Sequence, residues 1–266
     1  MLMRLLFSLT LLTILAATGC KPDPIAPEDQ ATLTMEFAPE VGGLRFFPEQ
    51  TYRNHNGQRM LLERYRFLVS DLRLVRDDGT EDTLTRSALV DFVEPSFRTV
   101  EELVPGECVG TFRIDPGRYE ELRFGLGVGP DRNNGNPADY DEAHPLSIRR
   151  GMHWTWSSGY IFLQIDGRVD TTGTDTAALS QGFIYHPGLN ELYREMVFPL
   201  DNFQAEEQGA LDLTLEVDLA RAFYNNTEGI DMKVDNLTHA TPPGSDAFRL
   251  AEQVVDNFVS GAFTLD

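Results

Sequence analysis

From Ala31 onward the strongest constraint on the fold is a two-residue period. Leu33, Met35 and Phe37 are apolar and alternate with Thr34 and Glu36, the pattern of a half-buried strand. The same signal returns along the chain. Tyr65 to Val69 continues into Leu72 to Val75, and Asp77-Asp78-Gly79 follows as a turn. Ala88 to Val93 is the next candidate. Thr111 to Ile114 runs through Asp115-Pro116-Gly117 into Leu122 to Leu126, which predicts a hairpin because Pro presets φ and Gly frees it in such turns. Tyr160 to Ile165, Gly182 to Tyr185, Met196 to Leu200 and Leu211 to Val217 complete the β inventory. Many short strands punctuated by turn residues predict an all-β antiparallel sandwich. One segment departs from the period. After Ser245-Asp246, a capping pair, Phe248, Leu250, Ala251, Val254, Val255 and Phe258 recur at helical spacing, with Gly261 as the stop. A short C-terminal helix is expected there.

The N-terminus is of another kind. Arg4 precedes a predominantly apolar run from Leu5 to Ala17, and small residues lead into Cys20. The run falls short of the roughly 20 apolar residues a spanning helix needs and fits the h-region of a signal peptide. Ala17-Thr18-Gly19-Cys20 resembles a bacterial lipobox, with Ala17 where Leu is usual. That resemblance implies cleavage after residue 19, lipid on Cys20, and, with Lys21 next, passage to the outer membrane. Residues 20–30, with three prolines and three acids in KPDPIAPEDQ, read as an extended tether, and residues 31–266 as the domain.

Lipidation of Cys20 leaves Cys108 as the remaining cysteine, so no intramolecular disulfide can form. The fold must rest on its core or on metal, in an oxidising compartment. Glu107 beside Cys108, with no adjacent cation, disfavours a thiolate and suggests a small buried filler. The formal charge is −20, and −21 once Arg4 is removed. Such a surface repels phosphates, which excludes nucleic-acid binding, and it repels an anionic leaflet, so anchoring falls to the lipid.

No HExxH, Gly-x-Ser-x-Gly elbow, Walker loop or Rossmann glycine pattern occurs, and no carboxylate pair is spaced for hydrolysis. Asp115 and Asp166 read as turn residues. The acidic stretch from Asp131 to Glu142 lacks the EF-hand order of Gly and Glu and reads as a solvated loop. These absences predict a binding protein, not an enzyme. The histidines are His55, His144, His153, His186 and His239. His55 lies beside Asn54, Asn56 and Gly57, a combination that predicts an exposed turn. Gly151 to Tyr160 holds both tryptophans, and in a strand Met152, Trp154 and Trp156 would share one face, with His153 and Thr155 on the other. A core strand explains that alternation by itself.

The element Met152-x-Trp154-x-Trp156-x-x-Gly159-Tyr160 resembles the MbnP-like family, periplasmic copper-binding proteins associated with methanobactin systems. Weaker landmarks agree in order: Tyr52 to Gly57, Tyr65 to Leu74, Phe124 to Val128, His144 to Leu146, Tyr185 to Gly188, and His239 to Phe263. The resemblance implies copper held by histidines together with a tryptophan oxidised to kynurenine by a partner related to di-haem cytochrome c peroxidases. Imidazole suits copper, whereas an indole N–H only donates. Opening the indole creates an aryl amine and a carbonyl as ligand atoms. Carried over, His144 and His186 are ligand candidates, His239 a third, and Met152 a soft thioether with an equal claim to the core. Trp154 and Trp156 are both modification candidates. His153 falls where the family pattern varies. Two other readings remain: a metal-free sandwich for recognition or adhesion, and a peroxidase substrate or accessory in which tryptophan oxidation is itself the purpose.

Overall fold

A computed structural model describes residues 27–93, 107–154, 159–174, 178–239 and 242–266, with backbone alone at 107–109. The signal segment, Cys20 and Trp156 lie outside the described residues, as does the Cys108 side chain. No described helix is long and apolar enough to cross a membrane. Pro27–Asp29, at the end of the stretch read as a tether, forms a 3-10 turn, and Gln30 donates to Asp115 Oδ1 at 2.8 Å.

The strands, in order, are β1 (Ala31–Val41), β2 (Leu44–Arg45), β3 (Thr51–Arg53), β4 (Arg59–Arg76), β5 (Glu81–Asp91), β6 (Glu107–Ile114), β7 (Gly117–Leu126), β8 (Leu163–Val169), β9 (Gln181–Tyr185), β10 (Arg194–Ala205), β11 (Ala210–Asp218), β12 (Leu237–Thr238) and β13 (Phe263–Leu265). Among the described residues two α-helices accompany them, α1 (Pro130–Asn133) and α2 (Asp246–Gly261). One sheet runs β13-β11-β1-β2, with β6 also on β1. The larger runs β10-β7-β4-β8-β9-β12, with β3 and β5 also on β4.

The all-β sandwich is as expected. Strict alternation along β1 buries Ala31, Leu33, Met35, Phe37 and Val41. Phe37 meets Phe67 of β4 and Phe124 of β7 edge-on, at 5.7 and 5.9 Å between centroids, so the two inner faces interlock through aromatic rings. Ser245 caps α2 by accepting from the Phe248 N–H at 3.1 Å. Phe258 of α2 packs on Phe67 and Phe263, which closes one end of the core.

Three expectations need correcting. The sandwich is not wholly antiparallel, because β1 runs parallel to β11 and β12 parallel to β9. Asp115-Pro116-Gly117 turns the chain but makes no hairpin: β6 pairs with β1, whereas β7 pairs with β4 and β10. The turn carries the chain from one sheet to the other. It is pinned there by Arg76, which donates to Pro116 O at 3.1 Å and to the Tyr119 hydroxyl at 2.8 Å. Asp166, read as a turn residue, lies within β8. Leu163, Ile165 and Val169 face the core there, and Asp166 takes the other face.

Candidate metal centre

The site is a consequence of register on the outer face of the larger sheet. Arg66 of β4 pairs with Gln164 of β8, and Arg64 with Asp166. Asp166 pairs in turn with Ile184 of β9, and Ile184 with Leu237 of β12. Partners directly opposite one another share a face, so Arg64, Asp166, Ile184 and Leu237 form one row. Two residues further along, Gln164, His186 and His239 continue the row begun by Arg66. The His186 N–H donates to Thr238 O at 3.0 Å, extending the β9–β12 ladder to bring the two histidines side by side. Their ring centroids lie 5.0 Å apart at a 72° interplanar angle. Tyr185 and Phe183, on the opposite face, are buried in the core.

His186 Nε2 lies 2.6 Å from Asp166 Oδ1. Gln164 Nε2 donates to Asp166 Oδ2 at 3.2 Å, and Arg66 Nε to Gln164 Oε1 at 2.6 Å. Arg66 and Gln164 are buried, a costly arrangement that their mutual bond, with Asp91 Oδ2 3.7 Å from Arg66 Nη1, makes tolerable. Burial, followed by the neighbouring His186, holds the His239 pKa below the ordinary imidazole value, against an opposing pull from Asp166. His239 is therefore disposed to be neutral, the form in which imidazole binds metal.

Beyond the end of β9 the chain meets the tryptophan-bearing segment. His153 and Tyr160 form a bridge, as do Ile161 and Gly188, and the Phe162 N–H donates to Pro187 O at 2.8 Å. Met152 and Trp154 are buried and His153 half-buried, so the expected alternation is present in this segment without a regular strand. The Trp154 ring lies directly on Gly188, two residues beyond His186, where it leaves no room for a Cβ. Its Nε1 is buried with no hydrogen-bond partner among the described residues. Met152 packs in the core cluster.

The structure does not bring His144 to the pair by any contact among the described residues. It stacks on Tyr140 at 4.3 Å, and its Nδ1 accepts the Leu146 N–H at 3.0 Å. Burial and then Arg132 lower its pKa, with Asp141 opposing. His55 is exposed in its turn, beside Tyr224. The acidic stretch is largely exposed, but Asn133 is buried. Asn133 Oδ1 accepts the Tyr160 N–H at 2.9 Å and its Nδ2 donates to Asn190 Oδ1 at 2.8 Å, tying the tryptophan segment to the loop after Gly188. Nothing in the sequence distinguished Asn133 from Asn134 or Asn136. The strand alternation around Asp166 and Gln164, by contrast, could have placed both on the polar face beside a histidine.

Among the described residues no group of three or more His, Cys, Asp or Glu side chains could hold a metal ion. Two adjacent imidazoles suit copper but leave its coordination open, and the Trp154 ring packs on Gly188, two residues beyond His186. The donor set thus fits copper if a further ligand is supplied.

The family model for MbnP matches residues 30–241. Among solved structures, MbnP from Methylosinus trichosporium shares the fold, with a TM-score of 0.51 and 17% identity over 75% of this chain and 79% of that one. No curated protein matches the chain.

Proposed function

Because this chain belongs to the MbnP family, we propose that it is a periplasmic copper-handling protein, not an enzyme, displayed from the outer membrane by lipid on Cys20. The observation that carries the proposal is the His186–His239 pair, with its rings 5.0 Å apart, together with a buried tryptophan packed on Gly188, two residues beyond His186. In this reading the two imidazoles are copper ligands. Oxidation of Trp154 to kynurenine, by a partner related to di-haem cytochrome c peroxidases, supplies the missing donor. Burial of Trp154 against Gly188 and an indole nitrogen without a partner among the described residues favour it as the matured residue. An aryl amine and a carbonyl formed there could serve a metal that an indole cannot.

The test is protein purified from its native cells. Mass spectrometry of the peptide containing Trp154 should give the mass of kynurenine at that position, and copper should co-purify. Unmodified tryptophan in copper-loaded native protein refutes the maturation reading. His186→Ala and His239→Ala should abolish copper retention. His144→Ala should leave affinity within a few-fold, because the contacts of His144 lie with Tyr140 and Leu146.

A further inference from the structure

We propose that Asp166 is a positioning residue that fixes the tautomer of His186, reserving Nδ1 as its ligand atom. The role rests on the copper reading above, but its basis is the direction of each hydrogen bond in a partly buried chain. A guanidinium only donates, so the Gln164 atom facing Arg66 Nε at 2.6 Å must be the amide oxygen. That fixes the amide, and its nitrogen faces Asp166 Oδ2 at 3.2 Å as a donor. A carboxylate only accepts. The contact between Asp166 Oδ1 and His186 Nε2 at 2.6 Å therefore carries the imidazole proton on Nε2. The neutral ring then keeps its lone pair on Nδ1, and the ring itself lies against His239. Nothing in this chain of bonds requires the metal, so the ligand atom is selected before copper arrives.

The same logic makes an isosteric change worse than a truncation. In Asp166→Asn the Gln164 amide N–H still needs an acceptor, and the new side-chain oxygen takes that place. The new NH₂ then points at His186 Nε2 and donates to it, which drives the proton onto Nδ1. In Asp166→Ala the ring is released and both tautomers are accessible. A merely structural role predicts the opposite order, with the isosteric variant the milder.

The experiment has two readouts. Long-range ¹H–¹⁵N spectra of the histidine rings, taken on metal-free protein at pH 8.5, report the tautomer. Competition with a colorimetric copper(I) chelator, on protein from native cells, reports affinity. The wild type should show His186 protonated on Nε2, and D166N protonated on Nδ1. Affinity should fall about 10- to 100-fold in D166N, the range for lost support of a metal-bound histidine, and less in D166A. Melting temperatures of both variants check the fold. A wild-type His186 protonated on Nδ1 overturns the proposal without any variant. So does a D166N chain that keeps both the Nε2 proton and wild-type affinity while His186→Ala loses copper. If His186→Ala instead retains full copper affinity, the copper reading itself falls, whatever the tautomer.

Discussion

Gly188→Ala tests the contact on which the site depends. Gly188 lies outside the left-handed region, so an alanine there meets no backbone strain, and the question is one of space. A Cβ would fall 2.8 Å from Trp154 Cζ3 and closer still to Trp154 Cη2 and the Tyr160 carbonyl oxygen. The ring could rotate away, but the carbonyl belongs to a backbone held by the Ile161 N–H to Met152 O bond at 2.7 Å and the Phe162 N–H to Pro187 O bond at 2.8 Å. Overpacking of this kind costs about 1–3 kcal/mol, and the immovable oxygen places the change at the upper end. At a compatible site Gly→Ala instead stabilises by about 0.4–1 kcal/mol, so the sign is diagnostic. Gly182 in β9 is the control, since a Cβ there meets only Gly167 O at 4.0 Å. Urea unfolding should show the midpoint of G188A lowered by about 1 M, for a slope of roughly 2–3 kcal/mol/M, while that of G182A holds or rises. Tryptophan emission of native G188A should shift to the red as the ring is displaced. Equal stability of the two variants would refute the argument that Trp154 is wedged on this turn.

Leu189 adopts φ 82° and ψ 151°, a region open in practice to glycine alone. Leu189→Gly should therefore be more stable than Leu189→Ala by about 1 kcal/mol in urea unfolding, the reverse of the usual order. The pKa values of His55, His144, His153 and His239 are all lowered, with burial the leading cause in each. As pH falls through about 6.5 the unfolded chain takes up these protons before the native one. Stability should accordingly decline from pH 7.5 to pH 6, measured as a falling urea midpoint at constant slope; a flat midpoint contradicts the shifts.

The elements legible in the sequence were those whose cause is local. Period two along Leu33, Met35 and Phe37 located β1, and Ser245 with the spacing from Phe248 to Phe258 located α2. Pairing was not legible, because a strand's own pattern says which face is buried but not which neighbour it meets. Asp115-Pro116-Gly117 has the chemistry of a turn in either case, and only the partner strands decide between a hairpin and a crossing from sheet to sheet. The same limit hid the site. His186 and His239 directly follow strands distant in sequence, and what makes them a pair is the parallel register of β9 and β12. The family resemblance supplied the candidates, and the register separated that pair from His144. Asp166 reads as a turn residue because Asp is common in turns, although its apolar neighbours Ile165 and Val169 already mark a strand.

The position of His239 hangs on a very short element. β12 is two residues long and has β9 as its ladder partner, and α2 packs behind it through the Thr238 hydroxyl, which donates to Ala247 O at 2.8 Å. Thr238 is buried. Replacing it by valine keeps the shape and removes the bond, at a cost of about 1 kcal/mol. Ala247 O lies in the first turn of α2 and keeps its place in the helical hydrogen-bond ladder, so the loss is confined to the docking of β12. A segment with so few ladder bonds opens locally and not with the whole domain. Amide exchange should then quicken about fivefold at Ile184 and His186, whose N–H groups donate to Asn236 O and Thr238 O. The Leu68 amide, bonded to Phe162 O in the core, should be unaffected. Uniform acceleration at all three would mean that β12 unfolds only with the domain, and that the histidine pair is as rigid as the sandwich beneath it. Acceleration confined to Ile184 and His186 would show that one of the two imidazoles sits on a hinge, so that copper bridging the pair would close β12 onto β9.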